Sequence, residues 1–229
     1  MNYKKKNFYI EGVSAEKISK NYGTPTYCYS FNKIKNNINS FKKYFDSIKP
    51  LICFSVKSNN NLYILKSISK LGLGADVVSQ GELMKALKAG ISSKKIVFSG
   101  VGKTKEELKY AIKKNILLIN AESESEINQI EKIAIKLNKN VNIGLRLNPN
   151  TDAMTIKKIS TGRKQDKFGL TKNNFLSLVE KCKKSKFLNL KCLSVHIGSQ
   201  ITSHKPYLNM LKVISDVIKK SKFHFEYVD

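Results

Sequence analysis

Leu51–Asn61 reads LICFSVKSNNN, an apolar run of strand type that stops on Lys57 and passes directly into a polar turn of Ser58 and three asparagines. A helical stripe follows in Leu62, Leu65 and Ile68, and then a second short apolar run, GADVVS, at Gly74–Ser79. Strand, helix and strand within about thirty residues is the signature of a parallel βαβ unit, because parallel neighbours need a crossover.

The same alternation extends in both directions. Upstream, TPTYCYS (24–30) precedes a helical face of Ile34, Ile38, Phe41 and Phe45. Downstream, a helix through Leu83 and Leu87 leads to KIVFSG (95–100), and one through Leu108 and Ile112 leads to ILLINA (116–121). A helix through Ile127, Ile130, Ala134 and Leu137 then leads to VNIGLRLNP (141–149). A long polar loop, a helix with Phe175, Leu178 and Cys182, LKCLSVHIG (190–198), a helix with Leu208, Leu211 and Val217, and FHFEYVD (223–229) complete the pattern. Thr104 with Glu107 and Ser123 with Glu126 have the spacing of capping boxes at two helix starts. Strand runs near Ile52, Asp76, Val97, Leu118, Ile143, Leu193 and Phe225 make seven of one kind, most of a (β/α)₈ barrel. A doubly wound open sheet is the alternative; it usually carries a glycine-rich first turn, and SVKSNNN is not one. The expected organisation is an extended N-terminal arm over 1–30 and an incomplete barrel over 31–229.

In a barrel, chemistry belongs at the carboxyl ends of the strands. Those ends carry Lys57, Asp76, Ser99, Asn120, Arg146 and His196. Each has a bland reading taken alone: a solvated lysine, a turn-forming aspartate, a capping histidine. Together they are expected to converge on one mouth, where a partly desolvated lysine amine can condense with a carbonyl compound or with pyridoxal phosphate.

Composition narrows the classes. At 229 residues and 41% hydrophobic, the chain has material for one large core. No run reaches the roughly 18 apolar residues of a membrane span, and the basic opening has no apolar segment behind it, so a cytoplasmic protein is expected. The formal charge of +25 raises the possibility of nucleic-acid binding. Only Arg146 and Arg163 are arginines, however, and the lysines are spread over every helix, as on solvated faces. Cys28, Cys53, Cys182 and Cys192 show no metal or disulfide spacing, so no metal site is expected. FSGVGKT (98–104) ends like a phosphate-binding loop, but the glycine that motif needs five positions before Gly102 is Val97.

The blocks FSVKSNNN (54–61), GLGADVVSQGEL (72–83), KIVFSGVGKT (95–104), RLNPN (146–150), ISTGRKQDKFGL (159–170) and HIGSQ (196–200) resemble, in order and spacing, those of the diaminopimelate decarboxylases, a family of alanine-racemase-type pyridoxal phosphate enzymes. The resemblance covers nearly the whole chain. It implies that Lys57 holds pyridoxal phosphate as a Schiff base, that His196 stacks on the cofactor ring and that Ser199 donates to its phosphate. Arg146, Asp76 and Glu82 would line the surrounding pocket. The implied reaction is decarboxylation of meso-diaminopimelate to L-lysine by a homodimer.

Two departures accompany it. Ile156 stands where the family usually has histidine. The family also continues beyond the position of Asp229, into a glycine-rich loop, a Glu-Pro-Gly-Arg segment and a C-terminal β domain against which the N-terminal arm pairs. The expectation is therefore an N-terminal portion, cut near the seventh barrel strand, lacking the β domain, with open sheet edges and no activity alone. Rival readings are an arginine, ornithine or carboxynorspermidine decarboxylase of the same fold, a non-catalytic barrel that carries pyridoxal phosphate, and a lysine-rich nucleic-acid binder.

Overall fold

The computed structural model describes residues 2–4 and 6–229, which form two compact units divided between Leu51 and Ile52. The first unit holds an antiparallel meander of β1 (Asn2–Lys4), β2 (Asn7–Ile10) and β3 (Val13–Ser14), followed by helices α1 (Ala15–Tyr22) and α2 (Phe31–Tyr44). Ser14 and Ser30 are the N-caps, their hydroxyls accepting from the amides of Lys17 and Lys33. Glu11 ties the turn after β2 to the start of α2: it accepts from the Ser30 hydroxyl, the Asn32 amide at 2.6 Å and the Asn32 side chain at 3.2 Å. The expected extended segment over 1–30 thus contains a helix. The serine cap at Ser14 and the polar run AEKISKNY favour helix there, although the stretch lacks the strong apolar stripe that marks the later helices.

The second unit is a seven-stranded parallel sheet. Its strands are β4 (Cys53–Ser55), β5 (Gly74–Val77), β6 (Ile96–Phe98), β7 (Leu118–Ala121), β8 (Val141–Leu147), β9 (Leu188–Val195) and β10 (Tyr227–Val228). They are connected by α3 (Leu62–Lys70), α4 (Gln80–Lys88), α5 (Lys105–Lys113), α6 (Glu124–Leu137), α7 (Lys172–Lys184) and α8 (Lys205–Ser221). The spatial order is the chain order from β4 to β10, so the sheet never reverses. A doubly wound sheet must reverse at a switch point; a barrel wall need not. The sheet is the wall of a (β/α) barrel up to its seventh strand.

Two faces alternate along each strand, as a period of two requires. One set, including Ala75, Val77, Ile96, Phe98, Ile119, Ile143, Leu145 and Leu193, is buried, as are Leu65, Leu83, Leu108, Ile127, Ile130 and Phe175 from the helices. The other set faces the barrel axis. Val97, Leu118 and Cys192 form its apolar floor, packed by Cys53, Leu117 and Tyr227. Two residues further along each strand the character changes to polar. Between Ile143 and Gly144 the register against β9 shifts, with Ile143 opposite Leu190 and Gly144 opposite Cys192. Lys191 is the extra residue, and the bulge sets the phase in which Cys192, Ser194 and His196 follow one another on the axial face.

Candidate active site

Lys57 sits in a 3₁₀ turn, Val56–Ser58, that leaves the end of β4. Fully buried Val56 anchors the turn, and the Ser58 hydroxyl donates to the Ser55 carbonyl at 2.7 Å. The asparagines that follow are turn and cap residues. The Asn59 side chain accepts from the Asn61 amide at 3.0 Å, that of Asn60 from the Lys85 ammonium at 2.9 Å, and that of Asn61 from the Tyr63 amide at 2.9 Å, capping α3. The polar run after the strand therefore fixes the exit of the chain and leaves Lys57 directed into a cavity of about 540 Å³ at the carboxyl ends of the strands. That volume is of the size that takes a small ligand.

Beneath the lysine lies a polar layer built from Ser55, Asp76, Ser99, Asn120, Ser194 and Asp229, all lining the same cavity. Asp76 accepts from the Ser55 hydroxyl at 3.4 Å, while its other oxygen, Oδ1, is buried without a hydrogen-bond partner. Burial pushes the Asp76 carboxyl above its usual range; the Asp229 charge adds to this, and Ser99, Lys57 and Ser55 oppose it. Asn120, 1% exposed, donates to Asp229 Oδ2 at 2.7 Å and to the Ser99 hydroxyl at 3.4 Å, and Ser194 donates to the same aspartate oxygen at 2.9 Å. Gly144 makes room for this amide: a Cβ there would lie 2.1 Å from Asn120 Oδ1 and 3.0 Å from Cys192 Cβ.

Arg146, at the end of β8, pairs with Glu122 at 2.8 Å and lies over the Phe168 ring, 5.0 Å from its centroid. His196 follows β9. Desolvation by the surrounding protein holds its imidazole below the ordinary histidine range, although the residue itself stays exposed at the cavity mouth, with the positive charges of Arg146 and Lys57 acting the same way against Asp229 and Glu122. A neutral ring therefore faces the cavity. Two loops fix it. The Thr161 hydroxyl donates to the His196 carbonyl at 2.8 Å, the Thr161 amide to the Ile197 carbonyl at 3.1 Å, and the Ser199 amide to the Ile159 carbonyl at 3.3 Å. Gly198, at φ +146°, admits this approach, since a Cβ would meet the Ile159 carbonyl at 3.0 Å. The ISTG and HIGSQ blocks thus clasp each other.

The structure brings Lys57, Asp76, Arg146, His196 and Ser199 to one cavity, together with Ser99 and Asn120. Glu82 is placed elsewhere. It belongs to the cap of α4, its amide donating to the Ser79 hydroxyl at 3.2 Å and its carboxylate accepting from the Val78 amide at 2.9 Å. Ile156 is 62% exposed, ahead of the 3₁₀ turn Lys157–Ile159. Lys103, from the false phosphate loop, has a side chain 1% exposed and spends its three protons on the carbonyls of Gly100 and Asn120 and on Glu126. Sequence reasoning did not single out Ser55, Ser194 or Asp229. Each lies two residues from an axial neighbour (Lys57, His196, Tyr227), so strand periodicity carried a signal for them. Glu122, Thr161 and Phe168 enter from loops, where no period places a side chain. No helix among the described residues is long and apolar enough to cross a membrane, and no group of three or more metal-type side chains occurs among them.

This geometry has close counterparts. Residues 31–227 match the family model described as pyridoxal-dependent decarboxylase, pyridoxal binding domain. The chain is 44% identical over 204 residues to the diaminopimelate decarboxylase of Helicobacter pylori strain J99, covering 89% of this chain and 50% of that protein. The crystal structure of Helicobacter pylori diaminopimelate decarboxylase complexed with L-lysine superposes with a TM-score of 0.87 at 42% identity, over 90% of this chain and 52% of the other. The diaminopimelate decarboxylase structure from M. jannaschi gives 0.92 at 35% identity, over 99% and 55%. The chain thus spans about half the length of the curated relatives it matches. Over the greater part of its length, the chain belongs to the pyridoxal-dependent decarboxylase family, of which it carries the pyridoxal-binding domain.

Proposed function

We propose that this chain forms the cofactor barrel of a meso-diaminopimelate decarboxylase, which releases CO₂ and L-lysine, and that the working enzyme is a cytoplasmic homodimer. The observation that carries the proposal is the convergence of Lys57, Asp76, Arg146, His196 and Ser199 on one cavity. The residues fit pyridoxal phosphate. The cavity offers an amine for its aldehyde in Lys57, whose ammonium forms no ion pair with any described residue, and a flat neutral ring in His196. It also offers a hydroxyl in Ser199, and a buried, unpartnered acceptor in Asp76 Oδ1.

When bound, the cofactor supplies an electron sink for the carbanion left as CO₂ departs. The protein's part is binding and orientation. Lys57 would hold the cofactor at its aldehyde through the ε-amine. The His196 backbone is held at its carbonyl by Thr161, and the imidazole it carries would offer a flat face for the cofactor ring. Ser199 and Arg146 would bear anionic groups at the mouth, where Phe168 and Ile159 also line the cavity and would help exclude water. The polar layer below keeps Asp76 partly desolvated and near enough for the Lys57 charge to act on it, while Lys57 itself stays exposed.

The test is formation of L-lysine and CO₂ from meso-diaminopimelate by the protein in the length its gene encodes, with arginine, ornithine and carboxynorspermidine as comparison substrates. The proposal expects turnover of diaminopimelate alone, abolished in Lys57→Ala. Turnover that survives this substitution, or preference for another substrate, overturns it.

A further inference from the structure

Arg146 is held in a fixed frame. Its Nη1 donates to Glu122 Oε1 at 2.8 Å, its guanidinium lies against the Phe168 ring, and its backbone carbonyl accepts from the Leu170 amide at 2.8 Å. The second oxygen of Glu122 accepts from the Gly169 amide at 3.2 Å. One carboxylate, with a side chain only 3% exposed, therefore bridges the end of β7 to both the arginine on β8 and the loop that returns beside it. Gly169 makes the bridge sterically possible. It adopts φ +74°, and a Cβ would lie 3.0 Å from the Asn148 amide nitrogen and 3.1 Å from the Arg146 carbonyl oxygen.

We propose that Glu122 is a positioning residue of this site: it locks the Arg146 guanidinium and the Phe168–Leu170 segment into a single arrangement at the cavity mouth, and so sets how Arg146 meets the bound cofactor. Glu122 is not among the cavity-lining residues, so it acts through Arg146. The inference rests on the reading of the cavity as a pyridoxal phosphate site. A buried ion pair is a means of fixing geometry, because the partner left behind when one charge is removed is stranded in a dry site. The guanidinium makes its ring contact on one side and its carboxylate contact on another, which leaves little rotational freedom. The same lock bears on His196: Arg146 and Glu122 act on the imidazole in opposite senses, alongside Lys57 and Asp229.

The test is a double-mutant cycle read by pyridoxal phosphate affinity, from the visible absorbance of the bound cofactor, in wild type, Glu122→Gln, Arg146→Gln and the double variant. The expected result is about tenfold weaker binding in Glu122→Gln, the worth of one charge-assisted hydrogen bond, and no further loss when Glu122→Gln is added to Arg146→Gln. The double variant carries neither charge, so it stays informative if Glu122→Gln alone fails to fold. A second readout is the titration of the His196 ring protons by NMR, whose midpoint is expected to move down in Glu122→Gln as the compensating charge is lost. Equal affinity in wild type and Glu122→Gln overturns the inference, as does a further loss in the double variant relative to Arg146→Gln. Wild type that binds no pyridoxal phosphate overturns instead the reading of the cavity on which the inference rests.

Discussion

Replacing Lys103 with methionine isolates the contribution of a buried ammonium that the chemistry does not use. The side chain is 1% exposed, and its three protons go to Gly100 O at 2.6 Å, Asn120 O at 2.7 Å and Glu126 Oε1 at 2.7 Å, with the Phe98 ring centroid 5.7 Å away. Methionine keeps the length of the stem and removes every donor. Two carbonyls lose a partner, and Glu126, 11% exposed, keeps only the Glu122 amide at 2.9 Å. Breaking a buried pair from one side costs about 3–5 kcal/mol, against about 0–1 kcal/mol for a solvated pair. At about 2–4 °C per kcal/mol for a chain of this size, the melting temperature is expected to fall by roughly 6–20 °C. The assay is chemical and thermal denaturation followed by circular dichroism, with Lys103→Met/Glu126→Gln as the companion that removes the stranded charge and recovers part of the loss. A Lys103→Met chain within about 1 kcal/mol of wild type refutes the reasoning, because the lysine then behaves as a solvated residue.

Three further outcomes follow from the same structure. Gly144→Ala drives a methyl into Asn120 and is expected to cost about 1–3 kcal/mol in denaturation, with a neutral effect arguing against the packed polar layer. Burial raises the folded-state pKa of Asp76 above its unfolded value, so its contribution is full below the unfolded pKa and is lost as pH rises through the raised one. Asp76→Asn should therefore be more stable than wild type at neutral pH, with the gain fading on acidification toward about pH 4; a gain that grows with acid has the wrong sign. Burial pushes the Cys53 thiol up to about 12 and that of Cys182 up to about 11, and raises Cys192 as well. A thiol reagent near pH 8 should label Cys28 first, and rapid labelling of a second cysteine in the native chain contradicts this burial.

The barrel wall was legible because each strand is a short apolar run and each helix an apolar stripe. Ile52 and Phe225, the runs at the two edges, lie within two residues of the strands Cys53–Ser55 and Tyr227–Val228. The strand-end polar residues were legible for the same reason: period and topology together place Lys57, Asp76, Asn120 and His196 on the axis without knowledge of any contact. What escaped was set by contacts between segments distant in sequence. Glu122 looks like a surface acid ahead of a capping serine until Arg146, 24 residues later, and Gly169, 47 later, fold onto it. Glu126 sits at capping-box spacing, yet its side chain reaches the Glu122 amide and Lys103, not the backbone of Ser123. Glu82 likewise follows a cap serine and serves the cap, a local role that the family motif around it obscured.

In the proposed function Lys57 is the amine that holds pyridoxal phosphate. The most direct test of this role is borohydride reduction of the native protein after incubation with stoichiometric pyridoxal phosphate, followed by peptide mapping by mass spectrometry. With a surface carrying most of 42 Lys+Arg, adventitious condensation has many competitors for the label, which makes a single site informative. The account predicts that the reduced pyridoxyl group is found on Lys57 and is absent from the Lys57→Ala protein. A label spread over surface lysines, or one concentrated elsewhere in the chain, contradicts it.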